Sequence, residues 1–330
     1  MEIAAREMDS RLLTALYVGK KGVDVILGQK WLLQRNIPHL PKGVWMFKTL
    51  MPGDAIPMQK ATEFGHKVCA IDEEVPGLGE GCGGLRWVAP QSIENCARLF
   101  CLGQAHGDAV AAKYPEQVDK CAITGNPRWD LLRPELRGYY AEQADQIRQK
   151  HGRFILYNTN SGLANSANKS ADKFVEGMFR DGRLDASKPQ DLKLADDYKE
   201  FSLVNIDAAR AIVRRLAEAF PDTLIIVRPH PIERLDTYRD ALSDLKNVEY
   251  HADGAAAPWI LASEFLVHTS CSTGIEAFAL GVPSISFDAS RNALNDEFLL
   301  AGRVSYRTDN VDDLINKAKD LLNGKNDPAL

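Results

Sequence analysis

The fold is decided by the stretch Phe265-Leu-Val-His-Thr-Ser-Cys-Ser-Thr-Gly-Ile-Glu-Ala-Phe-Ala-Leu-Gly-Val-Pro-Ser-Ile-Ser-Phe287. Two short apolar runs in it, Phe265–His268 and Ser284–Phe287, predict strands that are buried on both faces. The apolar segment Ile275–Leu280 between them predicts a helix, and Gly281-Val-Pro283 ends that helix. A helix that joins two buried strands is typical of a parallel sheet, so this stretch predicts an α/β fold.

The same alternation of strand and helix extends over nearly the whole chain. Further strands are predicted at Val23–Leu27, Val44–Phe47, Lys67–Ile71, Arg98–Leu102, Cys121–Thr124, Phe154–Asn158, Leu224–Val227 and Val248–His251. Helices are predicted at Arg6–Val18, Asp54–Phe64, Gln104–Lys113 and Val311–Leu322. This order of elements predicts two doubly wound, Rossmann-like α/β domains.

A length of 330 residues also favours two domains, at about 100–200 residues per domain. The stretch from Pro134 to Gly152 is charged and helix-prone and contains no predicted strand. We therefore expect a first domain over residues 1–135, a linker helix over 136–152 and a second domain over 153–330.

The charge balance argues against a nucleic-acid-binding protein. There are 40 Lys and Arg against 45 Asp and Glu, a formal net charge of −5, whereas binding to phosphate backbones needs a basic field. The first ten residues have charges where a signal peptide needs an apolar run, and we find no transmembrane segment. None of the six cysteines forms a Cys-x-x-Cys pair, which indicates reduced thiols. We expect a cytoplasmic protein.

Ligands of open parallel sheets bind beyond the carboxyl ends of the strands, so we examined the loops at those ends. The predicted strand Leu224–Val227 leads into Arg228-Pro-His-Pro231. Arg228 could make a bidentate contact to phosphate, and His230 could donate to phosphate or protonate a leaving group. The alternative is a rigid surface turn with solvated side chains. We favour a functional loop, because the prolines fix both polar side chains at this edge.

The loop after Phe265–His268 contains four hydroxyl side chains within five positions: Thr269, Ser270, Ser272 and Thr273. Hydroxyls and backbone N–H groups at a helix N-terminus can bind an anion. One of the four could instead be an ordinary N-cap, but one cap does not explain all four. We interpret the loop as a phosphate site. Glu276 in the following turn could bind ribose hydroxyls or only complement the helix dipole.

Two further loops are candidates. Asp72-Glu73-Glu74 follows a predicted strand of the first domain, and crowding of three carboxylates favours a general acid or base there, although charge runs are more often solvated turns. The glycines that follow match Gly-x-Gly-x-x-Gly only formally, since no helix begins there. In the second domain, Asn158, Asn160 and Ser161 could bind sugar hydroxyls, or could serve only in a turn.

Five ordered motifs together resemble the bacterial surface carbohydrate biosynthesis protein family. They are Glu2 to Arg11 with Asp72-Glu-Glu74, Gly125-Asn-Pro-Arg-Trp-Asp130, Asn158-Thr-Asn160 with Gly162-Leu-Ala-Asn165, Arg228-Pro-His-Pro231 and His268-Thr-Ser-Cys-Ser-Thr-Gly274. More distantly, the carboxylate loop, the His-Pro motif and the Ser/Thr-rich loop are similar to those of bacterial sialyltransferases and β-Kdo transferases. The resemblance implies a GT-B-like fold of two Rossmann-like domains that face a cleft, and a first strand expected before Glu2 is missing.

The resemblance also implies residue roles. His230 and Pro231 match the His-Pro motif that contacts the phosphate of CMP, and Ser270, Ser272 and Thr273 match the loop that holds the same phosphate. Glu73 or Glu74 matches the acidic motif that supplies the catalytic base or acid. Val75 stands where a glycine commonly follows the acidic pair, so the catalytic carboxylate is not assigned. The first domain would then be the acceptor side and the second domain the nucleotide-sugar side.

From these features we expect a glycosyltransferase that transfers Kdo or a nonulosonic acid from a CMP-activated donor to a glycan or lipid-linked glycan acceptor. A lipid-linked acceptor would bring the chain into peripheral contact with the inner membrane. No cofactor and no metal ion are expected. The alternatives are a UDP-sugar transferase, a sugar 2-epimerase or a glycerophosphotransferase on the same scaffold, and a non-catalytic nucleotide- or sugar-binding partner in glycan assembly.

Overall fold

The computed structural model describes residues 1–71, 88–168, 170–290, 294 and 299–325. The chain divides into two compact units. The first unit comprises Met1–Leu131 with Arg180–Arg183, and the second comprises Leu132–Phe179 and Leu184–Leu330. The division at Leu131 lies close to residue 135, where the sequence predicted the first domain to end.

The first unit is built on a four-stranded parallel sheet in the order β1-β2-β3-β4. Its strands are β1 (Val44–Phe47), β2 (Lys67–Ile71), β3 (Arg98–Cys101) and β4 (Cys121–Ile123). Its helices are α1 (Ala4–Gly19), α2 (Lys30–Arg35), α3 (Pro52–Glu63), α4 (Pro90–Asn95), α5 (Gln104–Lys113) and α6 (Pro127–Asp130). The core forms where side chains of β2 and β3, such as Val68 and Leu99, pack against Met58 of α3 and Val110 of α5.

The second unit is built on a six-stranded parallel sheet in the order β10-β9-β8-β5-β6-β7. Its strands are β5 (Phe154–Asn158), β6 (Leu224–Arg228), β7 (Val248–Tyr250), β8 (Phe265–His268), β9 (Ser284–Phe287) and β10 (Tyr306–Thr308). Its helices are α7 (Ala141–His151), α8 (Ala171–Arg180), α9 (Pro189–Ala219), α10 (Asp236–Arg239), α11 (Ala256–Ala262), α12 (Thr273–Leu280), α13 (Leu299–Arg303) and α14 (Val311–Leu322).

Helices cover both faces of the second sheet. Ile155 and Tyr157 point to one face, where they pack in a core with Ile212 of α9 and Leu314 of α14. Phe154 points to the other face, where its ring lies 6.3 Å from that of Trp259 in α11. The strand order reverses between β5 and β8, and such a switch point is where open α/β sheets bind ligands.

The predicted strands agree closely with the observed ones, with one error. Five predicted strands, Val44–Phe47, Lys67–Ile71, Phe154–Asn158, Phe265–His268 and Ser284–Phe287, have the observed bounds. The prediction of a strand at Val23–Leu27 is wrong, because these residues are extended but pair with no strand among the described residues. Their side chains are exposed, Val23 at 54% and Ile26 at 56%, so their apolar character does not serve a sheet.

The predicted linker region contains a short 3-10 helix, Arg137–Tyr140, followed by α7. Arg148 of α7 donates hydrogen bonds to the carbonyl oxygens of Leu261 at 2.7 Å and Ala262 at 3.3 Å, at the end of α11. Helix α7 is therefore packed within the second unit. None of the helices in the described part of the chain is long and apolar enough to cross a membrane.

Candidate functional site

Three of the loops singled out in the sequence meet at one edge of the second sheet. Asn158, the last residue of β5, is in register with Arg228 at the end of β6 and with His268 at the end of β8. The loops that follow these three strands are therefore neighbours at the switch point of the sheet. We call them the β5 loop (residues 159–165), the β6 loop (229–234) and the β8 loop (269–272).

The β5 and β6 loops are joined by the buried carboxylate of Glu233. Thr159 Oγ1 and the backbone N–H of Ser161 donate to Oε1 at 2.7 and 2.9 Å. Asn165 Nδ2 and the Tyr238 hydroxyl donate to Oε2 at 3.2 and 2.5 Å. Burial and the adjacent Glu233 carboxylate raise the pKa of Tyr238, so its phenol keeps the proton that it donates. This Glu233 network fixes the β5 loop against the β6 loop without a cation among its four donors.

The backbone of His230 belongs to the same arrangement. Its N–H donates to Thr159 Oγ1 at 3.2 Å, and its carbonyl oxygen accepts from the N–H of Glu233 at 2.8 Å. The N–H of Ile232 donates to His230 Nδ1 at 3.4 Å. Because Nδ1 accepts, a neutral His230 ring carries its proton on Nε2. The imidazole is thus held as a donor at the carboxyl edge of β6.

The β8 loop is tied to the β5 loop and is strained. Asn160 Nδ2 donates to the carbonyl oxygen of Ser270 at 3.2 Å. Ser270 has a φ of 48°, a left-handed conformation that is uncommon for a residue with a side chain. Such backbone conformations cost of order 1–3 kcal/mol and cluster at ligand-binding loops. The loop is therefore kept in an unfavourable conformation by its surroundings.

His268 supports the β8 loop from below. Its ring is fully buried, and burial lowers its pKa to about 3, so it is neutral. Nδ1 accepts from the N–H of Cys271 at 3.2 Å, and Nε2 lies 3.1 Å from Ser305 Oγ. Ser305 Oγ donates to the carbonyl oxygen of Ala301 at 2.7 Å, which leaves it to accept from His268. His268 thus fixes the loop through its backbone.

The hydroxyl groups of the β8 loop are arranged around the first turn of α12. Thr269 and Ser270 are buried, whereas Ser272 and Thr273 are half-buried. Ser272 occupies the N-cap position of α12, but its side chain makes no capping hydrogen bond. The ordinary structural role for a serine here is therefore unused. Glu276 is buried in the first turn of the same helix, 5% exposed.

Asn158 contributes an unpaired group to this edge. Its side chain is 4% exposed, and its Oδ1 has no hydrogen-bond partner among the described residues. Buried polar atoms are nearly always paired, and the exceptions mark places where a water or a ligand belongs. Asn158 therefore remains a candidate for contact with a bound molecule.

Arg228 is held by the protein itself. Its two terminal nitrogens donate to the carbonyl oxygens of Asp253 and Gly254, both at 2.9 Å, and its guanidinium lies 4.9 Å from the ring centre of Trp259. Burial lowers its pKa to about 10, so it stays cationic at neutral pH. The bidentate fork predicted for phosphate is occupied by carbonyls here, which leaves the positive charge as its contribution to an anion site.

The carboxylates Asp72, Glu73 and Glu74 predicted to be catalytic, and the glycines after them, lie outside the described residues. The strand before them, β2, lies between β1 and β3 in the first sheet.

The first unit also contains a cavity of about 450 Å³ beside β1, which sequence reasoning missed. Arg11, Lys30 and Lys48 are among its lining residues. Lys48 pairs with Glu7 at 3.2 Å, and Lys30 pairs with the buried carboxylate of Asp54 at 2.8 Å. These pairs balance the charge of both lysines, so the cavity has less positive character than its composition indicates.

Sequence reasoning also missed Glu233, although it examined the loop up to Pro231. A carboxylate two residues beyond a strand-end motif was a signal that could have been followed. Ser305 carried no such signal, because it is separated from His268 by 37 positions and is brought to it only by the fold of the second unit.

No family model and no curated protein matches the sequence. Among solved structures, the chain is similar to the UDP-GlcNAc 2-epimerase of Methanocaldococcus jannaschii, with a TM-score of 0.51 and 14% identity over 92% of this chain and 79% of that chain. A UDP-GlcNAc 2-epimerase from Neisseria meningitidis bound to UDP-GlcNAc gives 0.49 and 16% over 88% and 73%. The wall teichoic acid polymerase TagF gives 0.45 and 11% over 86% and 65%. The first similarity, with the two parallel sheets, confirms the predicted GT-B-like α/β fold class.

Proposed function

We propose that this chain is a sugar-processing enzyme that binds a nucleotide-activated sugar at the carboxyl edge of the second sheet. The observation that carries the proposal is Ser272, which occupies the N-cap position of α12 and does not cap it. Its hydroxyl lies at the positive end of a helix dipole, in a loop that its neighbours hold in a strained conformation. An anion such as a nucleotide phosphate suits this position.

The chemistry we propose is departure of a nucleotide from a sugar. Negative charge develops on the phosphate as its bond to the sugar breaks, and preorganised donors stabilise that charge most. Ser270, Ser272 and Thr273 would supply hydroxyls, and the first turn of α12 its backbone N–H groups. His230 would donate from Nε2, the nitrogen that carries its proton when Nδ1 accepts from Ile232. Arg228 would add a fixed positive charge behind the loop.

The finer proposal is a glycosyltransferase of surface-glycan synthesis with a CMP-activated donor, Kdo or a nonulosonic acid. It is supported by the resemblance of Arg228-Pro-His-Pro231 and His268–Gly274 to the motifs of β-Kdo transferases and bacterial sialyltransferases. In that reaction a carboxylate from Asp72, Glu73 or Glu74 would activate the acceptor hydroxyl. Asn158, Asn160 and Ser161 would face the sugar, although the Asn160 amide and the Ser161 N–H already serve the loop framework.

The second candidate function is a 2-epimerase of a UDP-activated sugar. The observation that favours it is the similarity in fold to the UDP-GlcNAc 2-epimerase of Methanocaldococcus jannaschii. The two functions differ in nucleotide and in the need for an acceptor. An epimerase converts its substrate alone, whereas a transferase releases the nucleotide only when an acceptor, or water in its place, takes the sugar.

Nucleotide binding tests the proposal. The thermal stability of the full chain is measured with CMP, UDP, GDP and ADP, each with and without EDTA. A nucleotide at about 100 times its Kd stabilises the folded state by about 2.7 kcal/mol. We expect CMP to stabilise the protein selectively, also in EDTA, and His230→Ala and Ser272→Ala to reduce the effect. Ser243→Ala is the matched control, since Ser243 is exposed and its hydroxyl bonds only to Asp240 O.

Selective stabilisation by UDP would replace the CMP donor with the epimerase or a UDP-sugar transferase, and incubation with UDP-GlcNAc alone would separate these two. Stabilisation by no nucleotide would refute the donor site and leave a non-catalytic partner in glycan assembly as the alternative.

A further inference from the structure

Two histidines and a glutamate converge on the outermost strand of the second sheet, away from the β8 loop. His151 Nδ1 lies 3.0 Å from Glu249 Oε2, and His251 Nε2 lies 3.1 Å from the same oxygen. The three ligand atoms lie within 4.8 Å of one another. We call these three residues the His-Glu-His cluster.

The fold accounts for this convergence. Glu249 lies on β7 and His251 directly follows that strand, two positions later, so both point to the same face of the sheet. His251 continues the pairing, because its N–H donates to the carbonyl oxygen of Val227 at 3.1 Å. His151 is the last residue of α7, which covers that face through its hydrogen bonds to the end of α11. Residues about 100 positions apart are thereby placed against each other by regular structure.

Aromatic packing fixes the orientation of both imidazoles. The His151 and His251 rings lie 4.9 Å apart at 76°, and Trp259 lies 4.7 Å from His251 and 5.6 Å from His151. The side chain of His151 is 5% exposed and that of His251 is 23% exposed, whereas Glu249 is 47% exposed. Two ligands are therefore held on rigid elements, and the third opens to solvent.

We propose that the His-Glu-His cluster is a binding site for a divalent transition-metal ion, with Zn²⁺ as the ion that its donors suit best. Two imidazole nitrogens and one carboxylate oxygen form an established donor set for zinc. Zinc bonds of about 2.0–2.2 Å place tetrahedral ligand atoms roughly 3.4 Å apart, so the two short contacts need to open by only a few tenths of an ångström. Solvent reaches the centre beside Glu249, where water completes the coordination.

The competing explanation is a hydrogen-bonded cluster without metal. In it, each imidazole donates a proton to Glu249, and the hydrogen bond from His251 lowers the pKa of that carboxyl group. Burial lowers the pKa of His151 despite its carboxylate neighbour, so its ring favours the neutral form that a metal requires. A neutral ring turns its lone pair to the metal when the proton is on its other nitrogen. Lys150 and His251 are the other charged or titratable groups acting on His151, and Arg228 faces the opposite side of Trp259.

Metal binding here would act on the candidate nucleotide site through one defined contact. Trp259 lies between His251 and Arg228, and Arg228 is held by the carbonyls of Asp253 and Gly254, just beyond His251. An ion that joins α7 to the end of β7 would therefore stabilise the segment that holds Arg228. The metal site itself does not depend on the proposed function of the β8 loop.

Metal content and affinity test the proposal. The full chain is stripped with a chelator and titrated with Zn²⁺ by calorimetry, with the stoichiometry checked by elemental analysis. We expect one equivalent to bind and the melting temperature to rise. Replacement by Co²⁺ gives the visible absorption of a tetrahedral site. His251→Ala and Glu249→Gln are each expected to weaken Zn²⁺ binding at least tenfold, and Glu249→Gln alters only a half-exposed side chain, so it should fold.

His39→Ala is the matched control, because His39 is an exposed histidine of the first unit. It should bind Zn²⁺ as the unchanged protein does. The proposal is overturned if the stripped protein binds no Zn²⁺. It is equally overturned if His251→Ala and Glu249→Gln both bind Zn²⁺ with unchanged affinity, which would move the ion to another site such as the thiols.

Discussion

Gly274 lies directly against the imidazole of His268, so close that a Cβ atom built on the glycine would overlap Nε2 and lie 2.8 Å from Cε1. The first turn of α12 can therefore approach the end of β8 only because residue 274 has no side chain. This contact sets the height of the helix N-terminus, and with it the position of the β8 loop.

Gly274→Ala is accordingly expected to destabilise the protein by about 1–3 kcal/mol and to weaken nucleotide binding, because the helix or the buried ring must move. Urea unfolding gives the stability change. Gly138→Ala is the matched control, since a Cβ at Gly138 meets no atom within 4 Å. Equal stabilities for the two variants would contradict the close packing of Gly274 on His268.

Glu233→Gln is expected to destabilise the second unit by roughly 2–4 kcal/mol. The amide NH₂ that replaces one carboxylate oxygen cannot accept, so two of the buried donors lose their partner, at about 1–3 kcal/mol each. Nucleotide binding should weaken as well, because the β5 and β6 loops are no longer joined. Glu264→Gln is the control for loss of a surface ion pair, here with Arg153, and should cost less than 1 kcal/mol. A Glu233→Gln variant as stable as the control would show that the network does not hold the loops.

His268 should make stability depend on pH in a defined direction. Burial lowers its pKa from 6.5 to about 3, so protons bind the unfolded chain more tightly than the folded one. Its contribution to stability is full above about pH 6.5 and is lost as the pH falls towards 3, by about 1.4 kcal/mol per pH unit. Urea unfolding across this window gives the slope.

His268→Asn should be less stable at neutral pH and should show a shallower slope. Part of the slope remains, because His106 is also buried and its pKa is also lowered, to about 4. His39→Asn, at an exposed position, should keep the full slope. An unchanged slope in His268→Asn would exclude His268 as its source.

Arg228→Lys distinguishes a structural arginine from a ligand-binding one. A lysine cannot reproduce the paired hydrogen bonds to Asp253 and Gly254 or the flat contact with Trp259, so the protein without nucleotide should lose about 2–4 kcal/mol. Arg215→Lys is the control, since its ion pair with Asp312 is exposed. A variant that keeps its stability but loses nucleotide binding would assign Arg228 to the ligand alone.

Much of the fold could be predicted because most strands are buried on both faces. A continuous apolar run such as Phe154–Asn158 has no other use in a chain of this kind, and its bounds were predicted correctly. Val23–Leu27 has the same composition and failed, because composition cannot tell whether a neighbouring strand is present. The strand Tyr306–Thr308 was not predicted, since it is only three residues long and carries a charge in its middle.

The candidate site was predictable as a set of loops but not as a framework. The sequence located the β5, β6 and β8 loops because polar residues follow apolar strands. It did not reveal that Glu233 and His268 serve the loops rather than the ligand, because such roles depend on burial and on partners far along the chain. The His-Glu-His cluster escaped for the same reason: Glu249 and His251 are close in sequence, but His151 joins them only in the folded unit.

The Glu233 network also has a consequence for how the protein folds. Three of its donors, on Thr159, Ser161 and Asn165, are 74, 72 and 68 positions away from Glu233 along the chain. The intervening segment includes α8 and the long helix α9, and it must be in place before these hydrogen bonds can form. A chain that has folded only in part has no competent loop framework. Ligand binding at this edge would therefore report complete folding of the second unit, and a newly made chain would acquire it late and in a single step.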